Sequence, residues 1–472
     1  MIVGLPADGI PAAWEKDFAA YTPAGVILFR RDFEDLEGLR RLTARLRRLA
    51  RPRRLFVSVD EEGGFVSQLA GHLVVPPNAA LLARGVRDGD VEWIARVTGE
   101  RLRALGIDWD FAPVADIHSE PSNPVIGPRA WGRTPAEVAR HAGEMLRGFR
   151  AAGLAGCLKH FPGHGDTSTD SHHTLPVCEA DLSTLEDREL APFRENLAAA
   201  PAVMTAHVLY PALDPAQPGT FSPAIARTLL RTRLGFTGIA ITDALEMKGV
   251  AAGREPWETA RLALEAGCDL MLFAFFDEGL RRARLELARA LAEGAIDRAG
   301  FDAAAPRLAA FDRAHPEPTP EELARPLESL TPPEWEPRLE RIIERGLVIR
   351  GHLPAAAATG RWRVAEPAFS HGPTLSDELR ESGLQVTDDD DPAAAVEVVA
   401  VMSRLPLAEE KLERIRATAR ARPTAVIGLQ NDAFLDDLPE AALRISASDA
   451  TPLTRRVVAR VIESMSERST NA

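Results

Sequence analysis

The densest cluster of reactive side chains in the sequence lies between Lys159 and His173. The segment reads KHFPGHGDTSTDSHH and holds four histidines, two aspartates and one lysine. Pro162, Gly163 and Gly165 are incompatible with a regular helix, so we expect a loop that follows a strand. Imidazole and carboxylate groups in one loop are typical of a metal site, of proton-transfer catalysis, or of a polar loop that only forms turns and caps.

The spacing of these groups argues against a metal ion. Structural zinc sites favour paired cysteines, or two histidines four residues apart on one helix face. His160 and His164 have that separation, but a proline and a glycine stand between them and no cysteine lies within the loop. We therefore expect no metal and no cofactor. The polar loop stays open as an alternative, most of all for His164 and His173.

Asp170 and His172 favour proton transfer. A carboxylate two residues from an imidazole can hold one ring nitrogen, which fixes the tautomer and raises the basicity of the other nitrogen. Such an imidazole needs a reacting partner, and Asp243, which ends the apolar run 238–242, is the best candidate. Retaining glycosidases pair a carboxylate nucleophile with a second group about 5–5.5 Å away. An aspartate at a strand end is also typical of a helix N-cap, and this alternative stays open.

The elements that carry these residues alternate between strand and helix. From Leu36 to Leu49, leucines repeat at spacings of three and four, which predicts the buried face of a helix. Strands are predicted at 25–29, 55–60, 107–112, 156–160, 202–207, 238–243 and 268–273. Strands that alternate with helices form parallel sheets, so the fold class is α/β, and this many units in series predicts a TIM-type (β/α) barrel.

Polar residues gather where these predicted strands end. Asp60, His160, His207 and Asp243 each close an apolar run, and Asp116 follows one closely. In (β/α) barrels, the loops at the carboxyl ends of the strands form the active site. The sequence therefore predicts that these side chains share one face of the barrel.

The composition changes after residue 314. Seven prolines between 315 and 337 predict a stiff, extended connector, and a helix is expected at 338–350. Further apolar runs and helical periodicity then predict a smaller, open α/β sandwich. The predicted domains are a catalytic barrel (1–314), a Pro-rich connector with its linking helix (315–350) and the small sandwich (351–472).

Composition and charge exclude several classes of protein. The chain has 472 residues, 56 basic and 69 acidic side chains and a formal charge of −13, which disfavours a nucleic-acid partner. Three cysteines cannot form a disulfide framework, which fits a reducing compartment. No apolar stretch is long enough to span a membrane, and the first residues do not read as a signal peptide. We expect a cytoplasmic protein with no membrane partner; its oligomeric state is not predicted.

Four motifs in series resemble one enzyme family. Lys159-His-Phe-Pro-Gly-His-Gly165 followed by Asp170-Ser-His172 resembles the signature of glycoside hydrolase family 3 β-N-acetylglucosaminidases. Thr242-Asp-Ala-Leu-Glu-Met247 is similar to the strand end that carries the family's nucleophile. Asp60-Glu-Glu-Gly-Gly64 and Asn123-Pro-Val-Ile-Gly-Pro-Arg129 also match, and the similarity runs in order from about residue 2 to residue 290.

The resemblance implies a role for individual residues. Asp243 would form a covalent glycosyl-enzyme, and His172, oriented by Asp170, would be the acid and base. The residues that would bind sugar hydroxyls are Asp60, Arg129, Lys159 and His160. His207, which ends a predicted strand, is expected either to line the pocket or to support it from behind.

The implied activity is that of a retaining, exo-acting β-N-acetylglucosaminidase. Such enzymes remove a terminal N-acetylglucosamine (GlcNAc) from small carbohydrate substrates, typically peptidoglycan fragments during cell-wall recycling. Three alternatives remain: a phosphorylase that releases GlcNAc-1-phosphate, a non-catalytic barrel that binds amino sugars, and a metal-dependent hydrolase. One departure affects the substrate, because Phe65-Val-Ser-Gln68 stands where the family usually has Arg-Val-x-Arg, and an amide cannot supply the guanidinium fork.

Overall fold

The computed structural model divides the chain into two compact units. One unit comprises Met1–Glu62, Asp88–Glu120 and Ala130–Leu330, and the other comprises Gly63–Arg87, Pro121–Arg129 and Thr331–Ala472. We call them the barrel unit and the C-terminal unit. The residues that the structure describes are 1–6, 12–20, 22–170, 174–296, 298–354, 357, 360–387 and 394–468.

Eight parallel strands form the barrel unit. They are β1 (Ile2–Val3), β2 (Gly25–Ile27), β3 (Phe56–Val59), β4 (Trp109–Asp110), β5 (Cys157–Phe161), β6 (Ala202–Thr205), β7 (Ile239–Ala244) and β8 (Leu270–Phe273). Neighbours in the chain are neighbours in the sheet, and β8 returns to pair with β1. Isolated parallel bridges join the segments around β4 and β5, from Trp109 to Ala155 and from Val114 to Lys159. The prediction of a (β/α) barrel is therefore confirmed.

Helices connect the strands, and the last of them ends at Arg468. They are α1 (Ala12–Ala20), α2 (Leu36–Ala50), α3 (Ala79–Gly85), α4 (Asp90–Ala104), α5 (Pro135–Ala151), α6 (Leu182–Thr184), α7 (Ala191–Asn196), α8 (Lys248–Ala251), α9 (Pro256–Ala266), α10 (Glu278–Ala292), α11 (Arg298–Ala314), α12 (Pro320–Leu323), α13 (Trp335–Gly346), α14 (Leu375–Glu381), α15 (Glu409–Ala421) and α16 (Pro452–Arg468). Two π-helical segments (Leu185–Glu189 and Ala224–Arg233) and a hairpin of Leu209–Tyr210 with Asp214–Pro218 lie between β5 and β7.

Alternate side chains of the strands fill the barrel interior. Ile27, Phe56, Trp109 and Ile241 belong to one buried cluster, and Phe311 of α11 joins it. Parallel strands alternate their side chains between the interior and the surrounding helices. The polar residues at the carboxyl ends of the same strands therefore stand above an apolar floor.

The C-terminal unit contains a second sheet of six strands. They are β9 (Val348–Gly351), β10 (Arg361–Ala365), β11 (Gln385–Thr387), β12 (Val396–Val401), β13 (Thr424–Gly428) and β14 (Leu443–Ser446). The order in the sheet is β9-β14-β13-β12-β10-β11, and only the β9–β14 pair is antiparallel. A mostly parallel open sheet with helices in its connections confirms the predicted second α/β domain. The predicted boundaries at residues 314 and 350 stay predictions.

Three strands and one connector differ from the sequence analysis. Strands β1, β9 and β11 are two to four residues long, too short for a periodic pattern. The proline-rich segment is not fully extended, because it contains α12 and the 3₁₀ turn Leu327–Leu330. Thr319 caps α12 in a reciprocal pair with Glu322, and Pro320 occupies the first helical position, where its missing N–H costs nothing.

In the part of the chain that the structure describes, no helix combines the length and the apolar character needed to cross a bilayer.

Candidate active site

The ammonium group of Lys159 lies between two carboxylates at the carboxyl end of the barrel. Its Nζ is 2.7 Å from Asp60 Oδ1 and 2.6 Å from Glu62 Oε1. The Lys159 side chain is only 2% exposed, whereas that of Asp60 is 23% exposed. A buried ammonium needs such partners, because an unpaired charge in the interior is strongly destabilising. The ion pair with Lys159 therefore holds the Asp60 carboxylate at the opening of the barrel.

The next residue, His160, is held by a second carboxylate. Its Nδ1 is 2.6 Å from Asp116 Oδ2, and its backbone N–H donates to Asp116 Oδ1 at 3.1 Å. Burial of Asp116 opposes ionisation, but His160 and the N–H groups that Asp116 accepts outweigh it and lower the pKa of this carboxyl. An ionised carboxylate only accepts hydrogen bonds, so the proton of the imidazole lies on Nδ1. The Nε2 atom of His160 is then the acceptor for a hydroxyl group.

Asp116 also holds the loop that follows β5. The backbone N–H of His164 donates to Asp116 Oδ1 at 2.7 Å, while His164 Nδ1 is 3.0 Å from the Thr167 hydroxyl. A Cβ atom at Gly165 would collide with the carbonyl oxygen of Ile117, so only glycine allows this approach. His164 is 2% exposed and acts in the structure as a loop anchor.

Asp243 lies near the end of β7 and is partly exposed. Burial opposes its ionisation, but the charges of His207, His160 and Lys159 and the N–H of Ala244 lower the pKa of Asp243 to about 2. Asp243 Oδ1 accepts that N–H at 2.7 Å. The carboxylate is consequently ionised at neutral pH and lies close to the side chains of Lys159, His160 and His207.

His207, which is 1% exposed, supports the backbone beside Asp243. Its Nε2 is 2.9 Å from the carbonyl oxygen of Ala244, and its Nδ1 is 2.8 Å from the Thr220 hydroxyl. A carbonyl oxygen only accepts, so Nε2 carries a proton that it donates to Ala244. The sequence left two roles for His207, namely lining the pocket or supporting the residues that line it. These contacts favour the supporting role, and the sugar-binding role of His207 stays a prediction.

Glu246 connects the loop after β7 to the end of β8. Its Oε1 accepts from the backbone N–H of Ala274 at 2.5 Å and from that of Phe275 at 3.1 Å. Burial raises the pKa of Glu246 to about 7, although these two hydrogen bonds lower it. Since Glu246 lies three residues after Asp243, it anchors the loop that directly follows the reactive carboxylate.

Asp110, the last residue of β4, is a buried acid behind the Lys159 cluster. Its Oδ1 accepts the backbone N–H of Glu61 at 2.9 Å, and its Oδ2 has no hydrogen-bond partner among the described residues. Burial raises the pKa of Asp110 well above its ordinary value. The ion pairs of Lys159 are with Asp60 and Glu62.

Arg129, Asp170 and His172 are the remaining predicted site residues. Arg129 ends the 3₁₀ turn Gly127–Arg129 of the C-terminal unit and donates to the carbonyl of Val125 at 3.1 Å. Asp170 lies in the barrel unit and is partly exposed. His172 lies outside the described residues. The roles of these three residues stay predictions.

Glu62 and Glu246 were not singled out from the sequence, and Asp116 was predicted only to share the face of the barrel that carries the site. Asp116 follows a predicted strand, and Glu62 and Glu246 lie within motifs that were recognised, yet their functions depend on partners distant in the chain. Asp116 contacts residues 44 and 48 positions away, and Glu62 pairs with Lys159 across two strands. For Glu62 and Glu246, the position inside motifs that hold reactive residues was the available signal.

Glu189 lies beneath the loop after β5, and its side chain is fully buried. Its Oε1 is 2.6 Å from Arg188 Nε, and a Cβ atom at Gly163 would approach Glu189 Oε2 to 2.9 Å. Gly163 also has a φ of +131°, which favours glycine. Burial raises the pKa of Glu189 to about 7, although Arg188 lowers it.

This raised pKa makes the stability of the barrel unit depend on pH. Between pH 4.5 and about 7, the folded protein holds a proton that the unfolded chain has released, so stability falls as pH rises through this window. Wild type should lose about 2–3 kcal/mol of unfolding free energy between pH 5 and pH 8 because Glu189 ionises in this range. Glu189→Gln, which has no group to ionise at this position, should not show this loss. Urea denaturation at both pH values measures this difference. Glu186→Gln, an exposed carboxyl in the same turn, is the control, and parallel pH curves for wild type and Glu189→Gln would contradict the expectation.

Among the described ranges, no group of three or more histidine, cysteine, aspartate or glutamate side chains is arranged to hold a metal ion. The neighbours that the structure records for His160 and His164 are a carboxylate and a hydroxyl group, whose hydrogen bonds occupy the Nδ1 atoms.

Known proteins resemble this chain in sequence and in fold. The model of the glycosyl hydrolase family 3 N-terminal domain matches residues 10–311. A β-hexosaminidase of Chromobacterium violaceum is 42% identical over 255 residues, which cover 52% of this chain and 71% of that protein. The structure of a family 3 β-N-acetylglucosaminidase from Paenibacillus aligns with a TM-score of 0.86 and 30% identity, covering 98% of this chain and 95% of that one.

A third relative was solved with a sugar derivative. NagZ from Neisseria gonorrhoeae, in complex with N-trifluoroacetyl-D-glucosamine, aligns with a TM-score of 0.59 and 31% identity over 72% of this chain and 96% of that one. The family match covers more than half of the chain and spans the motifs that carry the site. The chain therefore belongs to glycosyl hydrolase family 3 and is a glycoside hydrolase.

Proposed function

We propose that this enzyme is a retaining, exo-acting β-N-acetylglucosaminidase that uses Asp243 as its nucleophile. The observation that carries the proposal is the partly exposed Asp243 carboxylate at the carboxyl end of β7, which lies near His207, His160 and Lys159 and has a lowered pKa. A carboxylate with its pKa near 2 is available as a nucleophile at every physiological pH. It also stabilises the positive charge that develops on the sugar in an oxocarbenium-like transition state.

The proposed first step transfers the sugar to Asp243. A carboxylate oxygen of Asp243 bonds to the anomeric carbon while the bond from that carbon to the leaving oxygen breaks. His172 donates its proton to the leaving oxygen, and Asp170 stabilises the imidazole in the required orientation. Attack on the face opposite the leaving group gives an α-linked glycosyl-enzyme.

The proposed second step releases the sugar. The neutral His172 removes a proton from water, the water oxygen bonds to the anomeric carbon, and the bond to Asp243 breaks. The product keeps the β configuration because two inversions occur in sequence. His172 ends the cycle protonated and Asp243 ends it ionised, so both are ready for another substrate.

Asp60, which follows β3, and Lys159 and His160 of β5 are proposed to bind the sugar that is removed. Asp60 is held at the opening by Lys159 and can accept from sugar hydroxyls. His160, whose proton is held on Nδ1 by Asp116, offers Nε2 as an acceptor. A site built from such directed polar groups discriminates strongly against substrates that lack their partner hydroxyls.

The names of the relatives support the identity of the sugar. Related enzymes named β-hexosaminidase and β-N-acetylglucosaminidase match the part of the chain that carries the site. We propose GlcNAc as the sugar removed, from peptidoglycan-type fragments in the cytoplasm. Water is the proposed acceptor.

The configuration of the first product tests this proposal. We expect wild type to hydrolyse 4-methylumbelliferyl β-N-acetylglucosaminide and proton NMR to detect the β anomer of GlcNAc before mutarotation. The matched β-glucoside, which lacks the acetamido group, should be turned over far more slowly. A parallel reaction with phosphate should yield free GlcNAc without GlcNAc-1-phosphate. Release of the α anomer first, or formation of the sugar phosphate, would contradict the proposal.

A further inference from the structure

A guanidinium group lies between two aromatic rings at the carboxyl end of the barrel. The Cζ atom of Arg31 is 4.3 Å from the ring centroid of Phe29 and 4.4 Å from that of Phe275. We call Phe29, Arg31 and Phe275 the rim stack. Phe29 and Arg31 follow β2, Phe275 follows β8, and Phe29 also packs on the cluster that fills the barrel interior. The rim stack therefore lies on the face of the barrel that carries the site.

The rim stack is anchored through backbone atoms. Arg31 Nη2 donates to the carbonyl of Ala274 at 2.9 Å, and Glu246 accepts the backbone N–H groups of Ala274 and Phe275. Glu246 belongs to the loop that directly follows β7, the strand that carries Asp243. The backbone at Phe275 is thus tied to the loop that follows Asp243.

The Phe275 ring is held in place and yet half exposed. Its side chain is 50% exposed, although Arg31 covers part of it. An exposed aromatic ring on a fixed backbone beside an active site is typical of a binding surface, because it offers apolar area at little cost in conformational entropy. Pyranose rings present C–H groups on their flat faces, and these pack well on the electron-rich face of an aromatic ring.

We infer that Phe275, supported by Arg31, forms the subsite for the aglycone, and that this subsite takes a second pyranose ring. The inference rests on the proposed function, in which the first sugar lies at Asp60, Lys159 and His160. The leaving group of an exo-acting glycosidase points away from the barrel floor, towards the rim. Phe275 then sets the preference between glycosides with a sugar aglycone and glycosides with a small alkyl aglycone.

Two substrates with the same first sugar test the inference. We expect Phe275→Ala to lower kcat/KM for N,N′-diacetylchitobiose about 5–10-fold and to change kcat/KM for methyl β-N-acetylglucosaminide less than about 2-fold. Phe275→Tyr, which keeps an aromatic face, should retain most of the activity on the disaccharide. The substitution to alanine keeps the hydrogen bonds of Glu246 and Arg31, because they involve only backbone atoms of residues 274 and 275.

A matched control separates the subsite from general surface effects. Phe301 on α11 is 49% exposed, and Phe301→Ala should leave both substrates unaffected. Equal losses on both substrates, or no loss on the disaccharide, would overturn the inference while the proposed function stands. If wild type cleaves neither substrate, the proposed function fails first and the inference falls with it.

Discussion

Asp243→Ala is expected to lower kcat on an aryl β-N-acetylglucosaminide by about 10³-fold or more, since removal of a nucleophile abolishes the covalent route. At that level the loss of transition-state stabilisation is about 4 kcal/mol. Asp243 is partly exposed and accepts a hydrogen bond from the adjacent N–H of Ala244. The variant should therefore fold, and circular dichroism with thermal melting checks that it does. Stopped and continuous assays of the released phenol measure the change in kcat.

Chemical rescue distinguishes a lost nucleophile from a damaged pocket. Azide fits the space that the side chain leaves and attacks the anomeric carbon directly, so Asp243→Ala should regain turnover and give the α-glycosyl azide. His172→Ala should instead give the β-glycosyl azide, because the sugar is first transferred to Asp243. Asp35→Ala is the matched control; it removes an N-cap carboxylate that accepts from Gly38 at 2.6 Å and should leave kcat unchanged. Full turnover by Asp243→Ala without azide would refute the assignment.

Asp116→Ala is expected to destabilise the protein by about 3–5 kcal/mol, because it leaves three buried N–H groups without an acceptor. These are the backbone N–H groups of His160 and His164 and the Nδ1–H of His160. Asp116 itself is fully buried, so water cannot replace it without rearrangement. Urea denaturation of the full chain measures the loss.

Asp116→Asn separates stability from the tautomer of His160. The amide oxygen can still accept the two backbone N–H groups, so we expect a smaller loss of about 1–2 kcal/mol. Its NH₂ group, however, faces His160 Nδ1 and forces that atom to accept. Nε2 then carries the proton and can no longer accept from a sugar hydroxyl, so kcat/KM should fall at least about 10-fold.

The nitrogen chemical shifts of His160 provide the decisive readout for Asp116→Asn. In wild type, the NMR spectrum should show the proton on Nδ1, and in the variant it should show the proton on Nε2. A variant that keeps both the wild-type tautomer and the wild-type kcat/KM would contradict the role that we assign to Asp116. Loss of activity with an unchanged tautomer would point to a displaced loop instead.

The barrel could be predicted because its strands have a local signature. Runs such as those around Phe56–Val59 and Ile239–Ala244 are apolar, have β-branched residues and recur between helical patterns, so hydrophobic burial and periodicity specify them. Strand β1 has two residues, and its pairing with β2 and β8 defines it, so no local pattern reveals it. Its two residues are nevertheless buried at the centre of the sheet.

The site was predictable at the level of motifs and not at the level of contacts. Asp60, Lys159 and Asp243 could be predicted as site residues because they lie at or near strand ends. The carboxyl ends of barrel strands converge on one face. Which of the neighbouring acids is ionised depends on burial and on nearby partners, which sequence patterns do not report. Asp116 is buried and ionised because His160 and two N–H groups face it, whereas Asp110 is buried and has a raised pKa because its partners are too few.

Labelling of Asp243 by a slow substrate tests the central claim most directly. Incubation of wild type with 5-fluoro-N-acetyl-β-glucosaminyl fluoride should inactivate it and add one fluorinated sugar per chain. After trypsin digestion, mass spectrometry should locate the added mass on the peptide 234–248, and fragmentation should assign it to Asp243. A label on another residue, or normal turnover with no covalent adduct at any time, would contradict the mechanism.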